Sequence, residues 1–250
     1  TVCPSITYSF EYSFEYSITY SFEYSFEYAV VNIEMNVVMA DLTVVYYTSQ
    51  REKPEFEARI RQTLWHTIKR MRLPLISVSQ KPLDFGENIC VGEKDASSQN
   101  AYRQLQVGAK QAKTRFVCPA EADFLYPPEY FRFRPERDDT FYVAHPLWVL
   151  FAQSGKARIF ARKPRGSEAA MVVCTKTLVD RIEAVLSGVG EWGSVHCDGK
   201  SMPYLLETRR AFDIGGAATS TFEMTVPAIS FKTDYQMHRR TPHDPEGKVR

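Results

Sequence analysis

The spacing of hydrophobic and polar residues changes several times along residues 42–126, and these changes predict strands separated by helices. The short runs 42–47 and 75–79 are rich in β-branched and aromatic residues, a composition typical of buried strands. Between them, residues 54–71 carry apolar side chains four positions apart, which is the spacing of one buried helix face. The order strand, helix, strand favours an α/β domain with a largely parallel sheet.

A second helix and a short strand lead to two carboxylates. Leu105, Ala109 and Ala112 recur at helical spacing after a capping serine, Ser97 or Ser98, and residues 116–118 form an apolar strand. Glu121 and Asp123 follow directly, two positions apart, so in an extended segment both side chains project to one side. A divalent cation with oxygen ligands from both would relieve their repulsion, whereas the alternative is a solvated acidic loop.

The remaining pattern is less regular. Residues 84–99 predict a loop, 139–150 one or two strands, 155–168 a basic hairpin, 171–174 a strand and 175–186 a helix. A glycine-rich loop at 187–200 and a short helix near 204–210 follow, and 226–240 predicts an edge strand that continues into a basic segment. Tyr142 and Trp148 are candidates for a sugar platform, although core packing is the commoner role of such aromatics.

Residues 5–28 form an internal repeat with a four-residue period of serine, an apolar residue, a polar residue and tyrosine. This period fits neither a solenoid unit nor a heptad. Met39 begins the first segment with the pattern of an ordinary strand. We therefore predict a low-complexity tail at 1–38 that is not part of the fold, followed by one domain at 39–250; the alternative is an aromatic adhesive tail.

Composition narrows the class of protein. Hydrophobic residues make up 44% and charged residues 24%, which fits a soluble globular protein, and the formal net charge of +1 gives no argument for a polyanionic partner. The five cysteines are odd in number and show no metal-binding spacing, which favours a reducing compartment. No apolar run reaches the roughly 18 residues of a membrane span, and no signal peptide is evident, so we predict a cytoplasmic protein.

The segment Ala120-Glu121-Ala122-Asp123-Phe124-Leu125-Tyr126, after the helix and strand described above, resembles a known motif. It is similar to the acidic motif of A-type-fold glycosyltransferases, most closely the family-2-like enzymes, including phage-encoded ones with A-E-D-D-x-L-Y. Ala122 stands where that pattern has a central aspartate. The resemblance implies a single Rossmann-like domain with a mixed, mostly parallel sheet flanked by helices. It also implies that Glu121 and Asp123 hold Mn²⁺ or Mg²⁺ against the diphosphate of a nucleotide-sugar donor.

The same resemblance implies roles for other residues. Donor-binding candidates are Thr48, Ser49 and Arg51 after the first strand, Asp84 after the second, Arg103 on the polar side of the second helix, and Lys232, Arg239 and Arg240 near the C-terminus. His238 is a candidate to complete the metal shell. Asp198 and Glu191 are candidates for the base that removes the acceptor hydroxyl's proton. Solvated loops and a basic tail remain the alternatives, and Asp84 lies further from its strand than the family pattern has it.

The predicted function is therefore metal-assisted transfer of a sugar from a nucleoside-diphosphate donor to a hydroxyl acceptor. The acceptor stays open, with a saccharide or a modified DNA base as alternatives. A nucleotidyltransferase is a rival, but residues 48–53 contain no glycine and so lack the expected phosphate loop. A non-catalytic sugar- or nucleic-acid-binding module on a degenerate fold is the other rival, favoured by Ala122.

We predict that a chain starting at Met39 keeps the melting temperature of the full chain. The repeat has no helical or core-forming pattern to contribute packing, so its removal exposes no core. Differential scanning calorimetry of both chains measures this, and a clear drop in melting temperature on truncation would show that the repeat packs on the domain.

Overall fold

The computed structural model describes residues 41–95, 97–151, 159–163, 166–187, 192 and 218–235. The predicted tail at 1–38, the boundary at Met39 and the predicted helix near 204–210 lie outside the described residues, and they remain predictions. No helix in the described part of the chain is long and apolar enough to cross a membrane.

Strands and helices alternate in the first half of the domain, as the sequence predicts. The elements are β1 (Leu42–Thr48), α1 (Pro54–Arg70), β2 (Leu75–Ser79), β3 (Glu87–Cys90), α2 (Ser98–Gln111), β4 (Phe116–Glu121), β5 (Phe124–Leu125), α3 (Pro128–Arg132), β6 (Thr140–Phe151), β7 (Ile159–Lys163), β8 (Met171–Cys174), α4 (Thr175–Val185) and β9 (Ala218–Lys232).

The strands form one mixed sheet in the order β3-β2-β1-β4-β8-β6-β9-β5, and β7 pairs with β6. Strands β3, β2, β1 and β4 are parallel, and β8 is antiparallel to both β4 and β6. Therefore β6, and β9 parallel to it, run in the same direction as β1. These six strands end at one side of the sheet, which we call the carboxyl edge. The predicted α/β fold with a mixed, mostly parallel sheet flanked by helices is confirmed.

Alternating side chains of β1 separate two cores. Val44 and Tyr46 belong to the core under α1 and α3, whereas Val45 and Tyr47 belong to the core under α2 and α4. Because both faces of the strand are covered, all its residues are buried, which explains its continuous apolar run. The Tyr46 hydroxyl also donates a 2.8 Å hydrogen bond to the buried Glu57, which ties the first turn of α1 to the sheet.

The sheet opens beyond the start of β4. In the register, β8 pairs with the first two residues of β4, Phe116 and Val117, and the two strands then diverge. The Tyr130 hydroxyl lies 2.9 Å from the carbonyl oxygen of Pro119 and 2.8 Å from that of Met171, so it bridges the two separated strands. We call this opening between β4 and β8 the sheet gap.

Two elements differ from the sequence-based prediction. Residues 84–99 are not one loop, because β3 pairs with β2 at the edge of the sheet; its exposed polar residues give no apolar run to recognise. Strand β9 begins well before 226, at Ala218, and it pairs with β6 along its length.

The candidate sugar platform at Tyr142 is also wrong. Tyr142 is buried in the core and packs against Phe133, with ring centroids 5.2 Å apart.

We predict that Gly108→Ala lowers the free energy of unfolding by roughly 1–3 kcal/mol, despite the better helix propensity of alanine. A Cβ at Gly108 of α2 would lie 2.4 Å from Cγ1 of Val45, so the helix would have to move off the sheet. Urea denaturation measures the change. Adding Val45→Ala removes the obstructing methyl, so the double variant should lose less stability than the two single losses together; strict additivity would contradict this contact.

Candidate active site at the carboxyl edge

The two predicted carboxylates lie together at the end of β4. The strand ends at Glu121, a turn carries Ala122 and Asp123, and β5 follows. The turn differs from the extended segment predicted from the two-residue spacing, yet the two carboxylates are near enough for the charge of Asp123 to act on Glu121. The carbonyl oxygen of Asp123 accepts a 2.8 Å hydrogen bond from the backbone N–H of Phe231, which fixes the turn against β9.

Two tyrosines hold Glu121. The Tyr47 hydroxyl, on the neighbouring strand β1, donates a short hydrogen bond to Oε1 of Glu121. The Tyr126 hydroxyl accepts a 3.0 Å hydrogen bond from the Glu121 backbone N–H and donates a 2.7 Å bond to the carbonyl oxygen of Ala169. The position and orientation of this carboxylate are therefore set by the parallel pairing of β1 with β4, which places Tyr47 opposite Glu121.

A lysine from the far end of the domain reaches the pair. Nζ of Lys232, the last residue of β9, lies 3.7 Å from Oδ2 of Asp123, and the two side chains are only 19% and 15% exposed. The antiparallel pairing of β5 with β9 brings them together, because Phe124 lies opposite Ser230. Lys232 was predicted as a donor-binding residue, and the structure places it beside the predicted metal ligands.

The carboxylates are held in an environment that disfavours their charge. The pKa of Glu121 is raised to about 7, chiefly by burial and then by the negative charge of Asp123, while the Tyr47 hydrogen bond and Lys232 act to lower it. Burial also raises the pKa of Asp123, which the positive charge of Lys232 acts to lower. A group that supplies positive charge at this point would therefore stabilise both ionised carboxylates.

A third carboxylate, Glu52, belongs to this group and was missed in the sequence analysis. The hydroxyl of Thr233, just after β9, donates a bifurcated hydrogen bond to Glu52 and lies 2.8 and 2.9 Å from its two oxygens. Burial raises the pKa of Glu52, and the nearby charge of Asp123 also acts to raise it. The only sign of Glu52 in the sequence was its position in the loop after β1. Its partner Thr233 is distant in sequence, and no spacing pattern predicts such a contact. We refer to Glu52, Glu121, Asp123 and Lys232 as the acidic cluster.

A cleft of about 520 Å³ opens at the carboxyl ends of β1 and β2, on the same edge of the sheet. Its lining is mainly polar and charged: Ser49, Gln50, Arg51, Gln80, Lys81, Glu93, Lys94, Asp95 and Trp192. Nζ of Lys94 lies 5.1 Å from the centroid of the Trp192 ring. Residues 49–51 line the cleft and Glu52 belongs to the acidic cluster, so a single loop joins the two features.

Of the predicted donor-binding residues after β1, two line the cleft and one is buried. Ser49 and Arg51 line the cleft. Thr48 is buried at the end of β1, where its hydroxyl accepts a hydrogen bond from the Gln50 N–H and its carbonyl one from Gln104. These bonds shape the loop from within, and Thr48 is not among the residues that line the cleft.

Arg103 and Asp84 are not brought to this group. On α2, Arg103 donates to Gln106 and to the carbonyl oxygen of Leu186, so the polar side of that helix packs against α4. Asp84 is exposed and lies in the segment that runs from the end of β2 back to its amino end. In the same segment, Gly86 lies against Leu75, the first residue of β2. The candidates Glu191, Asp198, His238, Arg239 and Arg240 lie outside the described residues.

The carboxylates at this edge fit a hard divalent cation that takes its remaining ligands from phosphate and water. In the described part of the chain, no three His, Cys, Asp or Glu side chains group as ligands of one ion. Glu121 and Asp123 supply two carboxylates that need positive charge. Mg²⁺ is commonly held by one or two carboxylates together with substrate phosphates and water, so this donor set suits an ion that binds with a phosphate ligand.

Comparisons with known proteins give structural similarities alone. No family model and no curated protein match the chain. A glycosyltransferase involved in glycosylation of the major capsid of PBCV-1 matches with 8% identity, 76% coverage of this chain, 91% of that chain and a TM-score of 0.44. The inositol-1-phosphate CTP transferase from T. maritima matches with 11% identity, coverages of 78% and 91% and a TM-score of 0.44.

A third solved structure, S. aureus TarS 1–349, matches with 13% identity, covers 76% of this chain and 60% of that chain, and has a TM-score of 0.41. At such identities and TM-scores, these similarities carry no argument about what this chain binds or does. The α/β architecture is established by its own strand register.

We predict that the stability of the protein falls as the pH rises from about 5 to about 8, and that Glu121→Gln removes most of this fall. The pKa of Glu121 lies near 7 in the folded protein and near the ordinary 4.5 in the unfolded chain. Between these values the folded state binds the extra proton, so raising the pH removes stability until the pH exceeds the folded pKa.

Melting temperatures of wild type and Glu121→Gln measured across this pH range test the prediction. Glu136→Gln is the control, because Glu136 is an exposed carboxylate outside the acidic cluster. Parallel curves for wild type and Glu121→Gln would contradict the raised pKa.

Proposed function

We propose that this chain is an A-type glycosyltransferase that moves a sugar from a nucleoside-diphosphate donor to a hydroxyl acceptor. The observation that carries the proposal is the pair Glu121 and Asp123, half-buried at the carboxyl end of β4, on the same sheet edge as a polar cleft at the ends of β1 and β2. In open α/β sheets, ligands bind outside the carboxyl ends of the strands. The motif around the pair, described above, supports the same assignment.

The donor nucleotide would bind in the cleft. Ser49 and Gln80 offer hydrogen-bonding groups, Trp192 an aromatic surface, and Arg51 and Lys94 positive charge near phosphate. The loop 49–52 connects the cleft with Glu52 of the acidic cluster, and in this proposal the diphosphate of the bound nucleotide points along it towards Asp123. The volume of about 520 Å³ lies in the range of small-molecule sites.

Glu121 and Asp123 would hold Mn²⁺ or Mg²⁺, with His238 as a further proposed ligand. When bound, the ion offsets the negative charge that develops on the departing diphosphate. Tyr47 keeps Glu121 in place through its hydrogen bond to Oε1. Lys232, Arg239 and Arg240 would add positive charge around the same diphosphate.

The transfer itself needs a base at the acceptor. Asp198 or Glu191 would take the proton of the acceptor hydroxyl while its oxygen bonds to the anomeric carbon and the bond from that carbon to the diphosphate oxygen breaks. The products are then the glycosylated acceptor and the nucleoside diphosphate, with the proton on the carboxylate. A saccharide and a modified DNA base both present such a hydroxyl.

We predict that Asp123→Asn and Glu121→Gln make nucleoside-diphosphate binding insensitive to manganese. Each change removes a charged ligand without changing bulk. Loss of an outer-shell partner of a metal already costs roughly 10–100-fold in affinity, so loss of a ligand should raise the manganese requirement at least as much. The stability of the free protein should hold or increase, because the repulsion between the carboxylates is relieved.

Calorimetric titration of nucleoside diphosphates, with and without Mn²⁺, measures this for wild type, both variants and the Glu136→Gln control. Hydrolysis of nucleotide sugars, followed by transfer to saccharide and DNA acceptors, then identifies the substrates. Three overlapping titration curves would mean that the pair is an ordinary acidic loop. Binding of nucleoside triphosphates in preference to diphosphates would favour a nucleotidyltransferase.

A further inference from the structure

The charge at the acidic cluster is offset by a side chain of the protein. The Lys232 ammonium lies 3.7 Å from Asp123, and its charge also acts on Glu121 and Glu52. A resident cation is thus already present where the proposed function requires a metal ion. The two cannot both lie against Asp123 without strong repulsion.

The backbone on both sides of Lys232 is anchored. Before it, the N–H of Phe231 donates to Asp123, and the Phe231 ring packs edge-to-face on Phe56 with centroids 5.4 Å apart. After it, the Thr233 hydroxyl donates a bifurcated hydrogen bond to Glu52. The flexible four-carbon stem of Lys232 is therefore the part of this segment that can move without disturbing the fold.

We propose that Lys232 is a tethered counter-ion that occupies the acidic pair in the free protein and transfers to the donor diphosphate when metal and donor bind. The proposal rests on the proposed function. Its consequence is that the free protein binds divalent metal weakly, because the ion must displace an ammonium that cannot diffuse away. A diphosphate gives both cations an anionic partner at once, so it removes this competition.

Metal and donor binding are then coupled through one side chain. If the donor draws Lys232 away from Asp123, it raises the affinity for the metal, and by linkage the metal raises the affinity for the donor by the same factor. A lysine that only neutralised the acidic cluster, or only contacted phosphate, would not couple the two binding events. Removing the Lys232 ammonium should strengthen metal binding in the free protein and weaken nucleotide binding, and these opposite effects give a direct test.

The test compares wild type with Lys232→Met, which keeps the length of the stem, and Lys232→Arg, which keeps the charge. Lys113→Met is the matched control, since it removes one exposed positive charge away from the acidic cluster. Mn²⁺ binding without nucleotide is measured at pH 8 by electron paramagnetic resonance. Binding of a nucleoside diphosphate at saturating Mn²⁺ is then measured by calorimetry, and circular dichroism checks the fold of each variant.

We expect Lys232→Met to bind Mn²⁺ on the order of tenfold more tightly than wild type in the absence of nucleotide, since a nearby positive charge is removed. The same variant should bind the nucleoside diphosphate more weakly. Lys232→Arg and Lys113→Met should stay close to wild type in both measurements.

Unchanged or weaker Mn²⁺ binding by Lys232→Met would overturn the proposal, as would the absence of Mn²⁺ binding by both proteins. Equal nucleotide affinity in wild type and Lys232→Met would also overturn it. If wild type binds Mn²⁺ but no nucleoside diphosphate, the proposed function fails. The release of the metal site by Lys232→Met would then still be visible in the first measurement, so the two failures are distinguishable.

Discussion

Two carboxylates brought side by side and half-buried are the constraint on which the carboxyl edge depends. Neither Glu121 nor Asp123 can ionise freely there, as the raised pKa values of both show. Tyr47 and Lys232 each meet part of that demand, and the backbone N–H of Phe231 holds the turn that carries Asp123. The surrounding structure holds these groups within reach of the pair. Their proximity matters because an uncompensated buried charge is far more costly than a compensated one.

Meeting this demand requires residues that are distant in the chain. Tyr47 comes from the first strand, Glu121 and Asp123 from the end of the fourth and the turn after it, and Lys232 from the ninth. The long parallel pairing of β9 with β6 carries Lys232 to the same edge as β1 and β4, and the short pairing with β5 sets its register against Asp123. The second half of the domain thus completes a site that the first half begins, and neither half holds the cluster alone.

The sequence was sufficient for elements whose burial follows a simple period. The strands β1, β2 and β4 and the helices α1 and α2 could be predicted because continuous or four-residue apolar spacing reports burial directly. Strand β3 escaped because an exposed edge strand needs no apolar face. Asp84 was expected at the ligand edge, but the pairing of β3 with β2 makes the chain return first. The contact between Glu52 and Thr233 depends on register between distant segments, which one sequence does not encode in any local pattern.

The sheet gap between β4 and β8 has a consequence for the shape of the edge. Strands held by backbone hydrogen bonds have a fixed spacing, but across the gap that spacing is set by tyrosine side chains: Tyr130 spans Pro119 and Met171, and Tyr126 spans Glu121 and Ala169. The two rings are stacked, with centroids 4.8 Å apart, and each places its hydroxyl oxygen between the two strands. The width of the gap is therefore that of one oxygen atom with a hydrogen-bonding contact on each side, so the opening of this sheet is measured in hydroxyl groups and not in strand pairing.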